Sequence, residues 1–245
     1  MIKLLLESIE EKRYGLAKEK QWRLMMRILF QGDSITDCGR DRDEKRANLG
    51  LGNGYVNFIA GMILFDDPGH IIYNRGVSGN RIGDMYSRWI EDTMNIEFDI
   101  LSVLNGVNDI GFGLRLGIGA DAEEYEFIYD HMIGKVKKKR PEAKIILMEP
   151  FVTKFDNRII DDNSDPGDIY TDWDKWRDCI LRSGEVVQKI AKKYNALFVP
   201  LFDDFTRLAD RDGAQCWSID GIHPNAAGHE LIARKWLKIC GAKEI

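Results

Sequence analysis

Three residues of the chain have the types and the spacing that nucleophilic catalysis requires. Ser34 lies in "FQGDSITD", directly after a short apolar run, and Asp220 and His223 stand three residues apart in "DGIHPNAAGHE". A serine hydroxyl is a weak nucleophile until a histidine within hydrogen-bond reach takes its proton, and a carboxylate must hold that imidazole in the correct tautomer. These residues could therefore attack a carbonyl carbon and transfer its acyl group.

The residues around the histidine favour this arrangement. In one tight turn, a spacing of three residues can bring the Asp220 carboxylate beneath the imidazole Nδ1–H of His223. Pro224 disfavours a helical conformation for the residue before it, so His223 is predicted to lie on a loop. Asn225 can then cap the helix that follows, which leaves His223 free to face a cleft.

An attacked carbonyl becomes an oxyanion, which needs preorganised hydrogen-bond donors. Gly76 in "NRGVSGN" can offer a backbone N–H with no side chain in the way, and Asn108 in "NGVND" can offer a side-chain amide. The backbone N–H of Ser34 can be the third donor. One such donor contributes a factor of about 10²–10³ to kcat. We therefore expect Ser34, Gly76 and Asn108 to form an oxyanion hole.

Each of these residues also has an ordinary structural interpretation. "SITD" fits the loose Ser-x-x-Asp pattern of a helix start, and a glycine such as Gly76 commonly marks a turn. Asn108 with Asp109, and Asp220 with Gly221, are typical of turns and helix caps. Catalysis is favoured because all of these residues occur together, at the ends of successive predicted strands.

Short apolar runs alternate with longer segments of helical periodicity along the chain. The runs cover residues 27–30, 70–74, 100–105, 144–150 and 196–201. The helical segments cover about 54–65, 83–95, 121–140, 170–194 and 226–240. Continuous apolar runs suit strands buried on both faces, and their alternation with helices predicts an α/β fold with a parallel sheet. Ligands bind outside the carboxyl ends of such strands, where the polar stretches fall.

The composition argues against several other classes of protein. The chain has 245 residues and a formal net charge of −5, which is not typical of a protein that binds nucleic acid. No stretch approaches the roughly 20 apolar residues of a membrane span. The leucine run at the N-terminus is too short for a secretory signal. The four cysteines form no disulfide or metal-binding pattern. We therefore expect a cytoplasmic protein with free thiols and no membrane partner.

Other conspicuous segments indicate neither a metal nor a cofactor. The glycine-rich residues 111–119, "GFGLRLGIG", lack the lysine of a P-loop and predict a flexible loop beside the site. The acidic residues 156–176 predict a long loop or lid, without the spacing of a known calcium loop. His229 could pair with His223 on a metal, but no third ligand is close in sequence. We predict no metal site and no cofactor.

The polar stretches resemble, in order, the sequence blocks of the SGNH hydrolases, also called GDSL esterases. The matching stretches are "GDS", "NRGVSGN", "GVND" and "DGIHP", and the four hallmark residues correspond by this resemblance to Ser34, Gly76, Asn108 and His223. The resemblance implies a three-layer α/β/α sandwich with a flavodoxin-like, five-stranded parallel sheet, spanning residues 25–245. It also implies that Asp220 orients His223 and that Asp33 helps to hold the turn of the nucleophile.

Further stretches are similar to the acetylxylan or xylo-oligosaccharide acetylesterase branch of that family. They include "SITDCGR", "IILMEPF" and "HPNAAGHELIARKWL". This resemblance implies a serine esterase that removes acetyl groups from a small acylated carbohydrate. Two alternatives stay open: a lysophospholipase or thioesterase on the same core, and a catalytically silent carbohydrate-binding protein using Trp173, Trp176 and Trp217. Residues 1–24 predict a helical extension that packs on the body or on a second copy in a homo-oligomer.

Overall fold

The computed structural model of the protein describes residues 25–42, 48–155 and 172–241. The predicted N-terminal helical extension, residues 1–24, lies outside the described residues. Residues 156–171 of the predicted acidic loop lie outside them as well. For residues 1–24 and 156–171 these assignments stay predictions, whereas Trp173–Trp176 of the predicted acidic loop are helical, so the loop prediction is wrong for those residues.

Five parallel strands form the sheet within the described part of the chain. They are β1 (Arg27–Gly32), β2 (Ile71–Asn74), β3 (Ile100–Leu104), β4 (Lys144–Met148) and β5 (Leu197–Val199). Their order across the sheet is β2-β1-β3-β4-β5, the flavodoxin-like order, and every neighbouring pair is parallel. Each strand overlaps one of the apolar runs, so the predicted five-stranded parallel sheet is confirmed.

Helices connect the strands. They are α1 (Ser34–Asp37), α2 (Tyr55–Asp66), α3 (Ile82–Ser87), α4 (Val107–Leu116), α5 (Ala122–Lys139), α6 (Trp173–Lys193), α7 (Phe202–Asp212) and α8 (Ala226–Ile239). A π-helical segment, Ile90–Met94, follows α3, and a 3-10 turn, Ala214–Cys216, follows α7.

Successive side chains of β1 enter two separate hydrophobic cores, because strand side chains alternate between the faces of a sheet. Phe30 packs against Trp236 of α8 with ring centroids 5.5 Å apart and against Tyr55 of α2 at 5.9 Å. Leu29 belongs to the opposite core, together with buried residues of α3 and α5. The helices α2 and α8 therefore cover one face and α3 and α5 cover the other, which confirms the predicted three-layer sandwich.

The glycine-rich stretch at 111–119 is largely helical, so the predicted flexible loop is wrong for most of its length. Residues 111–116 belong to α4, and Gly117 ends that helix in the left-handed conformation. A Cβ on Gly111 would lie 3.0 Å from the ring of Trp176, so the glycine permits α4 to approach α6 closely. This packing outweighs the low helix propensity of glycine.

Helix α7 has no counterpart among the predicted segments. Its first turn is held by Glu149, whose Oε2 accepts hydrogen bonds from the backbone N–H groups of Leu201 at 2.7 Å and Phe202 at 2.9 Å. A carboxylate at a helix N-terminus satisfies N–H groups that have no partner within the helix and interacts favourably with the helix dipole. Because Glu149 follows β4, no local sequence pattern reveals this cap.

The tryptophans proposed for a carbohydrate-binding surface are largely part of the core. Trp176 is 1% exposed, and Trp173 and Trp217 are partly buried against the same core. The four cysteines are free, as predicted. Over the described ranges, no helix combines the length and the apolar character needed to cross a membrane.

Candidate active site

The Ser34 side chain projects from the first residue of a one-turn helix at the carboxyl end of β1. Asp33 caps this helix, since its Oδ1 accepts a hydrogen bond from the backbone N–H of Ile35 at 3.0 Å. Gly32 precedes the turn, and a Cβ there would collide with the Thr36 side chain and the Leu104 carbonyl oxygen. The cap is therefore Asp33, and the hydroxyl of Ser34 stays free for another partner.

Ser34, His223 and Asp220 form a hydrogen-bonded row. The Oγ of Ser34 lies 3.0 Å from Nε2 of His223, and Nδ1 of the same ring lies 2.7 Å from Oδ2 of Asp220. With its ring proton on Nδ1, His223 donates to the carboxylate and presents the Nε2 lone pair to the serine hydroxyl. The structure therefore brings together the three residues that the sequence indicated, although 189 positions separate Ser34 from His223.

Backbone hydrogen bonds make the turn from Asp220 to His223 a fixed support for the imidazole. Oδ1 of Asp220 accepts from the N–H of Ile222 at 2.9 Å and from that of His223 at 2.7 Å. The carbonyl of His223 accepts from the N–H of Ile219 at 2.8 Å. Asn225 then caps α8 by accepting from two N–H groups of its first turn, as predicted. The imidazole ring of His223 thus lies on a loop that hydrogen bonds fix on both sides.

Charge and burial shift both titrating members of this row. The hydrogen bond to Asp220 raises the pKa of His223 above its ordinary value, and this outweighs the opposing effect of partial burial. For Asp220, burial raises the pKa, but the hydrogen bonds from the His223 ring and backbone bring it below its ordinary value overall. The Asp220 carboxylate therefore stabilises an imidazolium, which forms when the histidine accepts a proton.

Asp33 is an unusual carboxyl group directly beside Ser34. It is 1% exposed, and its Oδ2 has no hydrogen-bond partner among the described residues. Burial raises the pKa of Asp33 to about 7, although the N–H of Ile35 partly offsets this effect. A neutral Asp33 therefore persists well above the pH at which an exposed carboxyl group ionises.

Gly76 does not offer the free N–H that we expected of it. Its N–H donates to Oδ1 of Asn74 at 2.9 Å. A Cβ on Gly76 would collide with the backbone N of Asp37. The glycine is therefore needed for close packing between α1 and the loop that follows β2, residues 75–81. This corrects the predicted oxyanion hole: the structure gives Gly76 a packing role.

The free amide in this loop is that of Gly79, which the sequence analysis missed. Val77 donates to the Gly32 carbonyl at 3.0 Å, Ser78 donates to Oδ2 of Asp37 at 3.0 Å, and Asn80 donates to the Val77 carbonyl at 3.1 Å. Within residues 75–81, only the Gly79 N–H has no acceptor in the described chain.

The backbone of Gly79 is also accessible. Its φ of +81° is a conformation that glycine adopts readily, and no atom lies within 4 Å of the position that a Cβ would occupy. The sequence does contain a signal for this residue, because "NRGVSGN" has a second glycine, Gly79, three residues after Gly76.

Asn108 lies beside this loop, on the first turn of α4. Its Nδ2 donates to the carbonyl of Asn80 at 3.1 Å, and Nδ2 of Asn105 donates to the same oxygen at 3.0 Å. A side-chain amide carries two N–H donors, so Asn108 retains one for a further acceptor. The structure therefore places the Asn108 amide next to the residue that follows Gly79.

His229 is occupied within the protein. Its Nδ1 accepts from the backbone N–H of Tyr55 at 3.1 Å, and its Nε2 lies 3.5 Å from Sγ of Cys38. Burial lowers the pKa of His229 to about 4, so it stays neutral. In the part of the chain that the structure describes, no three His, Cys, Asp or Glu side chains cluster in a way that could hold a metal ion.

Comparisons with known proteins show which family this chain resembles. The model of the GDSL-like Lipase/Acylhydrolase family matches residues 30–231. An acetylxylan esterase from Geobacillus stearothermophilus is 33% identical over 220 residues, which cover 88% of this chain and 94% of that protein.

Solved structures with the same fold are also similar in sequence. The acetylxylan esterase Axe2 from Geobacillus stearothermophilus has a TM-score of 0.76 and 32% identity, over 89% of this chain and 95% of that one. A protein from Parabacteroides merdae, provisionally assigned as a GDSL-like lipase, has a TM-score of 0.79 and 36% identity, over 89% of this chain and 96% of that one.

Proposed function

This chain belongs to the GDSL-like lipase/acylhydrolase family and is a carboxylic ester hydrolase, and we propose that it uses Ser34, His223 and Asp220 to remove acetyl groups from carbohydrates such as xylo-oligosaccharides. The observation that carries the proposal is the hydrogen-bonded row of these three side chains at the carboxyl edge of the sheet. This row provides the nucleophile, base and orienting acid that acyl transfer requires.

In the proposed reaction, Nε2 of His223 takes the proton of Ser34 as Oγ attacks the ester carbonyl. The carbonyl C=O bond opens to a tetrahedral oxyanion, and the imidazolium is stabilised by the Asp220 carboxylate. When the oxyanion collapses, the bond to the sugar oxygen breaks and His223 returns its proton to that oxygen. A water molecule activated by the same base then hydrolyses the acyl-serine and releases acetate.

Three donors are suited to the oxyanion: the backbone N–H groups of Ser34 and Gly79 and the second N–H of the Asn108 amide. Asn80 supports this set, since it follows Gly79 directly and its carbonyl accepts from Asn108 at 3.1 Å. The Gly79 N–H replaces the Gly76 N–H of the predicted set, because the Gly76 N–H is already bonded to Asn74. Donors held in this way require no reorganisation as the negative charge develops.

The acetyl group and the carbohydrate are supported by the similarity to acetylxylan esterases. The curated relative bears that name and is 33% identical over 88% of this chain. The substrate of this enzyme is accordingly a small acylated carbohydrate, and none of the proposed steps is assigned to a metal or a cofactor.

Ester hydrolysis by purified protein tests this function directly. Acetate release from acetylated xylo-oligosaccharides is measured together with hydrolysis of p-nitrophenyl acetate, octanoate and palmitate. We expect the acetyl substrates to be hydrolysed far better than the long-chain esters, and we expect Ser34→Ala to lose a factor on the order of 10⁶ in kcat. A preference for long chains would favour the lysophospholipase or thioesterase alternative. Substantial activity in Ser34→Ala would refute the proposed nucleophile.

A further inference from the structure

Arg88 lies at the centre of a hydrogen-bond network beneath the loop that carries Gly79. Arg88 is the residue directly after α3, and its side chain is only 14% exposed. The guanidinium group donates to five acceptors, which are Oδ1 of Asn80 at 2.6 Å, Oε1 of Gln31 at 2.8 Å, the Arg75 carbonyl at 2.8 Å, the Gly32 carbonyl at 3.1 Å and Oδ2 of Asp92 at 3.1 Å.

Two of these acceptors belong to the segments that present the proposed catalytic groups. Gly32 is the last residue of β1, two positions before Ser34, and Asn80 directly follows Gly79. The contacts use different nitrogens, since Nη2 donates to Gly32 and Nε donates to Asn80. The planar guanidinium therefore fixes the separation between the strand of the nucleophile and the loop with the free amide.

The Arg88 side chain is itself held in position. Asp92, one turn further along the chain, supplies a carboxylate partner at 3.1 Å. Gln31 is fully buried; its Nε2 donates to the Asp92 carbonyl at 2.7 Å and to Oγ1 of Thr93 at 2.8 Å, so its Oε1 is directed at Arg88. A guanidinium that is bonded on several sides has few alternative rotamers, so the loop that it contacts has little freedom to shift.

We propose that Arg88 is a positioning residue for the oxyanion hole, which aligns the Gly79 N–H and, through Asn80, the Asn108 amide with the nucleophile. This inference rests on the proposed esterase function. Arg88 touches no reacting atom, and it acts through the placement of other donors. A lysine at this position keeps the charge but has a single nitrogen, which cannot bond to Gly32 and Asn80 in the same fork geometry.

Steady-state kinetics of Arg88→Lys with p-nitrophenyl acetate test the proposal. We expect kcat to fall about 10- to 100-fold, because a displacement of about 1 Å in a catalytic group can cost a factor of 10². We expect KM to change less than about twofold, because the donors act mainly after negative charge develops. Asn80→Ala, which removes one acceptor of Arg88 and keeps the backbone carbonyl, should lower kcat in the same way.

Arg140→Lys is the matched control. Arg140 is similarly buried, with a side chain 12% exposed, and it donates to the carbonyl groups of Met94 and Ile96 near the amino end of β3, away from the site. Its replacement should lower the melting temperature to an extent similar to Arg88→Lys and leave kcat unchanged. This comparison separates a loss of stability from a loss of alignment.

A double-mutant cycle decides whether Arg88 acts through Asn80. If it does, the variant with both Arg88→Lys and Asn80→Ala should be little slower than Arg88→Lys alone, since coupled residues are not additive. Wild-type kcat in folded Arg88→Lys, or fully multiplicative losses in the double variant, would overturn the proposal. If wild-type protein instead hydrolysed no ester, the proposed function itself would fail, and that result is distinct from either of these.

Discussion

The buried carboxyl group of Asp33 predicts a specific dependence of stability on pH. Burial raises the pKa of Asp33 from its ordinary value of 3.8 to about 7. The folded protein therefore binds this proton more tightly than the unfolded chain does. As pH rises from about 4 to about 7, the unfolded chain loses the proton first, so this group lowers the free energy of unfolding over that range. A difference of about 3 in pKa corresponds to roughly 4 kcal/mol.

Asp33→Asn is expected to remove this penalty. An asparagine Oδ1 can still accept from the N–H of Ile35, and its neutral amide replaces a neutral carboxylic acid at low pH. The variant should therefore match the wild type near pH 4 and become more stable than it by up to roughly 4 kcal/mol near pH 8. Asp109, whose pKa burial raises to about 6, and His223 both interact electrostatically with Asp33, so the variant also lowers the pKa of each, and the difference between the two curves includes these smaller contributions.

Urea unfolding at half-unit intervals from pH 4 to pH 8 measures this difference. Asp210→Asn, which removes an exposed carboxylate from α7, serves as the control, and its stability should remain parallel to that of the wild type. If the curves for Asp33→Asn and wild type were also parallel over the whole range, then Asp33 would ionise without cost. The reasoning from its burial and its unpartnered Oδ2 would then be wrong.

Three further predictions concern catalysis. Gly79→Ala should lower kcat at least about 10-fold with little change in KM, because alanine disfavours a φ of +81° and displaces the N–H; a change in KM alone would contradict an oxyanion role. Asn108→Ala should lower kcat about 10²–10³-fold, and an effect confined to KM would show that Asn108 binds the ground-state substrate instead. Because His223 must be neutral to accept a proton and the Asp220 hydrogen bond raises its pKa, kcat/KM should fall as pH decreases, with a midpoint above 6.5. Asp220→Asn should lower both the midpoint and the rate, so a pH profile unchanged in that variant would remove Asp220 from the orienting role.

The amino-acid sequence alone determined the sheet and the three residues of the hydrogen-bonded row. Strands buried on both faces require continuous apolar runs, and such runs are visible without any structure. The turn that joins Asp220 to His223 is equally local, because three residues and the proline after them restrict the backbone. Residue types and spacing were therefore sufficient to predict the parts of the site that depend on neighbours in sequence.

Tertiary structure decided which of the two glycines in "NRGVSGN" keeps a free N–H. Both Gly76 and Gly79 suit a loop after a strand, and the sequence motif alone does not distinguish between them. Asn74, only two residues earlier, takes the Gly76 N–H, while the fold packs α1 where a Cβ of Gly76 would stand and supplies Gly32 and Asp37 as acceptors for Val77 and Ser78. A backbone amide is available to a ligand only when no protein acceptor reaches it, and that follows from the packing of the loop against α1 and β1 rather than from the motif.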